Sequence, residues 1–138
     1  MVEKEMEGMA GQIMAEQICL DTSVCIEIMK RSSYEKLSSF LTAEAFLSSI
    51  TLFELMLTTH KLEETETFAS TFEILKFDEK AARTASEIEK DLKGRGVLIS
   101  REDIFIAATA MVNNCALATL NVKDFSRIKG LRLIKLHE

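Results

Sequence analysis

Four acidic residues stand where short apolar runs give way to helical patterns: Asp21, Glu54, Asp103 and Asp124. Asp21 ends the run 18–20, and Glu54 lies in the first turns of the pattern that opens at Thr51. Asp103 falls in the first turn after Ser100, and Asp124 follows the apolar run 115–119. Singly, each has an ordinary reading: an acid in a first helical turn stabilises the helix dipole, Asp124 can cap a local helix, and Glu54 can be solvated. Together they would sit beyond the carboxyl ends of strands, where open parallel sheets bind ligands. Carboxylates gathered on one edge repel one another at neutral pH unless a cation joins them. Oxygen donors with no His or Cys among them suit a hard ion, Mg2+ or Mn2+, better than zinc. His60 and His137 lie outside these motifs and read as surface residues.

The elements that must position these acids follow from the hydrophobic pattern. Short apolar alternations at 18–21, 45–50, 73–77, 115–119 and 131–136 predict five strands. Between them, helical spacing predicts helices at 23–30, 34–41, from Thr51, over 63–72, from a cap at Asp78 to Gly94 and Gly96, and from Ser100 to about Asn113. Strands separated by helices imply a three-layer α/β/α domain with a mainly parallel five-stranded sheet and right-handed crossovers. The domain is expected to run over 18–138. Residues 1–17 read as an amphipathic extension, with Met6, Met9, Ala10, Ile13 and Met14 on one face and Gly8 and Gly11 weakening the helix.

Composition bounds the function. The 138 residues make one domain, 47% hydrophobic and 28% charged, which excludes a disordered chain. Proline is absent, so turns must rely on Gly, Asn, Asp and Ser. Cys19, Cys25 and Cys115 form no C-x-x-C pair and are expected to be buried thiols in a reducing cytoplasm. Glu3, Glu5, Glu7 and Glu16 interrupt any signal-like stretch, and the uncharged segment 104–122 is broken by Asn113 and Asn114, so no membrane segment is expected. The net charge of −5 argues at first against a nucleic-acid partner. Without the four acids, however, residues 18–138 carry +2, and the last 16 residues carry +3.

The strings LDTSV around Asp21, S-x-T-x-x-E at Ser49, Thr51 and Glu54, D-x-x-I-A-A-T-A at 103–110, and T-x-N-x-x-D-F at 119–125 occur together and in order. In that combination the chain resembles the PIN-domain ribonucleases, specifically the VapC-type toxins, over residues 18–136. The resemblance implies a Mg2+- or Mn2+-dependent endoribonuclease that acts as a homodimer and pairs with a VapB-like antitoxin. It implies Asp21 as the central metal ligand, with Glu54 and Asp103 completing the primary cluster. Thr22 or Ser23 would help orient Asp21 or a water, and Thr119 would hydrogen-bond within the cluster. The fourth acid position falls to Asp124 or to Asn121, with Asp124 preferred and Asn121 then a polar support. A bound ion would supply the hydroxide that attacks phosphorus, and no side-chain nucleophile is required.

Lys30, Arg31, Arg95, Arg101, Lys123 and Arg127 are candidates for RNA contact if the topology brings them to the acid edge. The segment 34–72, with Phe40, Leu41, Phe46, Phe53, Met56 and Leu57, is the candidate antitoxin face, although core packing also accounts for such residues. Other α/β phosphate chemistries fit less well. A haloacid-dehalogenase-like site needs a second Asp where Ser23 stands, and Gly94 and Gly96 match no phosphate-binding loop. The remaining alternative is a non-catalytic PIN scaffold that binds protein or RNA.

Overall fold

The computed structural model describes residues 16–31, 44–134 and 136. The helix expected at 34–41 and the extension expected at 1–17, save its last two residues, lie outside them.

Five strands, β1 (Gln17–Leu20), β2 (Glu44–Ser48), β3 (Glu73–Leu75), β4 (Ala116–Ala118) and β5 (Leu133–Ile134), form one sheet in the order β3-β2-β1-β4-β5. Every pairing is parallel, so the sheet is wholly rather than mainly parallel. β1 is central, with Ile18 beside both Ala45 and Ala116. The described helices are α1 (Thr22–Arg31), α2 (Ser49–Thr58), α3 (Leu62–Ala69), α4 (Glu79–Gly94), α5 (Arg101–Val112) and α6 (Val122–Phe125).

Alternate residues of the strands feed two cores, as the period of two requires. Cys19 and Leu117 pack with Ile88, Leu92, Ile104, Ala107 and Phe125 on one face. Ile18, Leu20, Leu47 and Ala118 pack with Val24, Cys25, Ile28 and Leu55 on the other. The three cysteines are free and buried, as expected. Among the described residues no helix is long and apolar enough to cross a membrane. The uncharged stretch 104–122 divides into α5, a turn with Asn114 at φ 57°, and β4.

The helix starts follow local capping. Ser48, Asp78 and Ser100 each accept a hydrogen bond from the backbone N–H three residues on, at 3.0, 3.0 and 3.2 Å. Ser48 therefore ends β2 and opens α2 at Ser49, whereas the apolar pattern alone predicts a strand to 50. β3 stops at Leu75 rather than 77 because the Phe77 N–H donates to Ser49 Oγ (3.1 Å) instead of a ladder carbonyl. The helix expected over 63–72 closes at Ala69, where the N–H groups of Ser70, Thr71 and Phe72 fold back onto Glu66, Phe68 and Ala69. Among the described residues of the expected 131–136, β5 pairs Leu133 and Ile134. Gly96, at φ 72°, closes α4 in the left-handed region that glycine adopts without strain.

Phe125 is fully buried and anchors α6, which carries Asp124. Phe125→Ala is expected to destabilise the fold by about 3–5 kcal/mol in urea unfolding. A loss below about 1 kcal/mol would contradict this seating of α6.

Candidate active site

Asp21 follows the last paired residue of β1, and its N–H continues the ladder onto the Ala118 carbonyl at 2.9 Å. Its side chain is buried, at 4% exposure, so its carboxylate must find donors within the protein. Three are present. The Thr22 N–H donates to Oδ1 at 2.7 Å, while Ser23 Oγ and Thr119 Oγ1 donate to Oδ2 at 2.9 and 2.6 Å. Thr22 and Ser23 open α1, and Thr119 follows β4, so the carboxylate is held by the ends of two adjacent strands. Ser23 Oγ also accepts from the Leu120 N–H at 3.1 Å, which ties the two segments a second time.

Glu54 reaches the same edge from α2. Thr22 Oγ1 donates to Glu54 Oε1 at 2.5 Å, so Thr22 serves two of the acids, Asp21 through its N–H and Glu54 through its hydroxyl. Behind them Thr51, fully buried, places its hydroxyl 3.3 Å from Thr22 Oγ1 and from Ser48 Oγ. Thr51 belongs to the S-x-T-x-x-E string, yet its supporting position is not readable from sequence. The clue available there is a hydroxyl on the same helical turn as Glu54.

Asp103 lies in the first turn of α5, where its backbone N–H is capped by Ser100. Burial, then the charges of Asp21 and Glu54, and last that of Asp124 push its carboxyl up to about 6, against a smaller opposing pull from Ser100. That direction is opposite to the usual effect of a helix N-terminus, which favours the charged form. It identifies Asp103 as the residue that feels the other three acids. Asp124 Oδ2 accepts from Asn121 Nδ2 at 3.2 Å, and the Asn121 N–H donates to Thr119 Oγ1 at 2.8 Å. A polar chain thus runs from Asp124 through Asn121 and Thr119 to Asp21.

Among the described residues no Lys or Arg forms an ion pair with any of the four acids. No three His, Cys, Asp or Glu side chains among them converge as a ready-made cage either. This donor set fits a hard, hydrated ion. Mg2+ keeps several waters and takes one or two carboxylates directly, whereas zinc favours His and Cys donors, and none stands among the four acids. His60 is exposed, as expected, and His137 lies outside the described residues.

The candidate RNA-contact cations divide into three groups. Lys30 and Arg31 end α1, with Lys30 exposed. Lys123 is exposed beside Asp124 on α6. Arg95, Arg101 and Arg127 lie around α4 but do not come together: Arg101 grips Glu89, whereas Arg95 pairs with Asp91, two residues on and so on the opposite flank of the helix, and its Nη2 donates to the Arg127 carbonyl at 2.7 Å.

Comparison with known proteins places the fold in a family. The PIN domain family model matches residues 18–131. Ribonuclease VapC1 of Methanocaldococcus jannaschii is 37% identical over 124 residues, covering 85% of this chain and 86% of that protein. The crystal structure of VapBC2 from Rickettsia felis, bound to a DNA fragment from its promoter, superimposes with a TM-score of 0.77 at 27% identity. It covers 88% of this chain and 99% of the matched one. DNA-bound VapBC from Salmonella typhimurium also gives a TM-score of 0.77, at 29% identity, over 86% of this chain and 97% of that one.

The crowding of Asp103 has a consequence for stability. A carboxyl with the ordinary value of 3.8 in the unfolded chain and about 6 in the folded one binds more protons in the folded state across that window. Stability therefore falls as pH rises through the window, and the penalty is complete above about 6. Asp103→Asn, measured without added metal, is expected to be more stable than the parent by about 1 kcal/mol at pH 8, a figure discounted for solvent screening of a half-buried group. Below about pH 4 the advantage should vanish. An equal difference at both pH values would contradict the crowding.

Proposed function

The chain belongs to the PIN domain family and to its VapC branch, and from that premise we propose that it is a metal-dependent endoribonuclease, the toxin of a toxin–antitoxin pair. It hydrolyses RNA phosphodiester bonds with Mg2+ or Mn2+ at the edge formed by Asp21, Glu54, Asp103 and Asp124. The observation that carries this reading is the uncompensated charge of that edge. Asp103 is pushed up to about 6 chiefly by burial and the neighbouring acids, and no described cation pairs with any of the four.

Asp21, Glu54, Asp103 and Asp124 would hold a divalent ion, which would supply an activated water for attack on phosphorus and screening of the phosphate charge. Asp21 is the central ligand; three donors fix its carboxylate, so its remaining lone pairs point in a set direction. Thr22 holds Glu54 in the same way. Asp103 binds the ion in its ionised form and so competes with a proton near pH 6. Asp124 would be the fourth ligand and Asn121 its support, because Asn121 Nδ2 donates to Asp124 Oδ2. Attack by water leaves a 5′-phosphate and a 3′-hydroxyl, with no covalent intermediate on the protein. The three primary acids argue against the alternative of a binding-only scaffold.

The partner is a VapB-like antitoxin, supported by solved relatives that are VapBC complexes. Its apolar helix lies against α2 and α3, where Phe53, Leu57 and Leu62 are exposed large hydrophobics. An antitoxin Arg or Lys then enters the acid edge. Phe46 is not part of this face, since it packs against the core, while Phe40 and Leu41 lie outside the described residues. The active form is a cytoplasmic homodimer.

Asp21→Asn and Asp103→Asn are each expected to lower RNA cleavage by more than about 100-fold with the far-UV circular dichroism unchanged. Unchanged cleavage at saturating metal would contradict the site. Mn2+ should bind the parent chain in isothermal titration and bind Asp21→Asn much more weakly; a parent that takes up no Mn2+ would favour the scaffold.

A further inference from the structure

Thr51 is fully buried one turn before Glu54 on α2, and its hydroxyl is turned toward side chains rather than back onto its own helix. Thr58, Thr67 and Thr109 show the self-contained arrangement, each hydroxyl donating to the carbonyl four residues back at 2.9, 3.0 and 2.8 Å. Thr51 Oγ1 instead lies 3.3 Å from Ser48 Oγ and 3.3 Å from Thr22 Oγ1. Its own N–H donates to Ser48 Oγ at 3.0 Å, so the backbone and the hydroxyl of Thr51 are both fastened to the residue that ends β2. Ser48 and Thr51 are wholly shielded from solvent, so this half of the row of hydroxyls has no water to turn to.

The other half of the row is looser. Thr22 opens α1 and is only partly buried, so packing alone does not choose among the staggered positions of its hydroxyl. Glu54 is partly buried too, and its long side chain would sample many rotamers without a fixed donor. Thr22 Oγ1 nonetheless faces two oxygens that stand one turn apart on α2, donating to Glu54 Oε1 with Thr51 Oγ1 beside it. The Thr22 N–H meanwhile donates to Asp21 Oδ1 at 2.7 Å. β1 and β2 are paired in the sheet, so the row joins the ends of two strands whose spacing the ladder sets.

We propose that Thr51 is a positioning residue for the acid edge: through Thr22 it fixes where the Glu54 carboxylate stands relative to Asp21, and so sets the affinity of the edge for a divalent cation. The inference rests on the metal-dependent nuclease reading and adds which buried residue aims one of the ligands. Side chains already held in place lose less freedom on meeting an ion, and the residues that orient them govern affinity without touching it. Glu54 needs such help more than Asp21 does. Asp21 has three donors on its own carboxylate, whereas among the described residues Glu54 receives one, from Thr22. Filling space alone would be served as well by Val, which has the shape of Thr without the hydroxyl, and the test turns on that difference.

Isothermal titration with Mn2+ in the absence of RNA reads the affinity directly, and urea unfolding of the same variants separates it from stability. Thr51→Val, which keeps the shape and removes the hydroxyl, is expected to raise the Mn2+ dissociation constant about tenfold. Thr51→Ala, with the same expectation, stands in if Thr51→Val does not fold. Thr51→Ser restores the hydroxyl and should return the parent's value. Thr22→Val breaks the same link from its more exposed end while keeping the N–H on Asp21, and should lose at least as much; adding Thr51→Val to it should cost nothing further. Thr65→Val removes a different buried hydroxyl, 2.7 Å from Thr59 Oγ1, and should lower stability with Mn2+ affinity unchanged. An unchanged dissociation constant in Thr51→Val, a loss that Thr51→Ser does not restore, a further loss in the Thr22→Val background or an equal loss in Thr65→Val would overturn the proposal and leave the nuclease reading standing. A parent that takes up no Mn2+ would overturn both.

Discussion

The buried carboxylate of Asp21 makes demands that the rest of the structure has to meet. An ionised group at 4% exposure is unfavourable unless donors replace the water it has lost. Here they come from the start of α1 and from Thr119, 98 residues away in sequence. Thr119 can reach Asp21 only because β4 lies beside β1 in parallel register, with Leu20 opposite Ala118 and the Asp21 N–H on the Ala118 carbonyl. A slip of one residue along that ladder would reverse the faces of β4 and remove the donor. Sheet register and site geometry are therefore the same constraint.

Around this satisfied acid stand three others whose charges are not balanced by described cations. The fold tolerates them because only Asp21 is deeply buried, while Glu54, Asp103 and Asp124 are partly exposed. The strain shows in Asp103, which holds its proton to about 6. A stability optimum would place an Arg or a neutral residue at such a position. Four carboxylates there instead suit a site built to receive positive charge, with the hydroxyls of Thr22, Ser23 and Thr119 and the amide of Asn121 aiming the acids. Charge is also separated across the molecule, since Lys93, Arg95, Arg101 and Lys129 pair around the last turns of α4 while acids collect at the strand ends. Whole-chain charge hides both.

Much of this was legible in the sequence because each acid sits at a change of period. The apolar runs before Asp21 and Asp124 mark strand-to-helix junctions, which a parallel sheet brings to one edge, while the cap at Ser100 marks the start of the helix that carries Asp103, reached from α4 with no strand between. Local competition was less legible. The pattern at 45–50 continues apolar past Ser48, and only the capping bond from Thr51 shows that the helix has begun. Contacts between distant segments were least legible. The buried hydroxyl of Thr51, the bond from Thr119 to Asp21 and the pairing of Lys129 with Asp91 depend on which loops the topology sets side by side. No residue type or spacing within one segment announces them.

The central claim is that the acid edge is electrostatically frustrated without a cation and relieved by one. Titration of the Asp103 carboxyl by carbon-13 NMR, without divalent metal and then with saturating Mg2+, tests it most directly. The account predicts a midpoint near about 6 without metal, falling below about 4 once Mg2+ is present. An ordinary carboxylate midpoint that does not move on adding Mg2+ would contradict it.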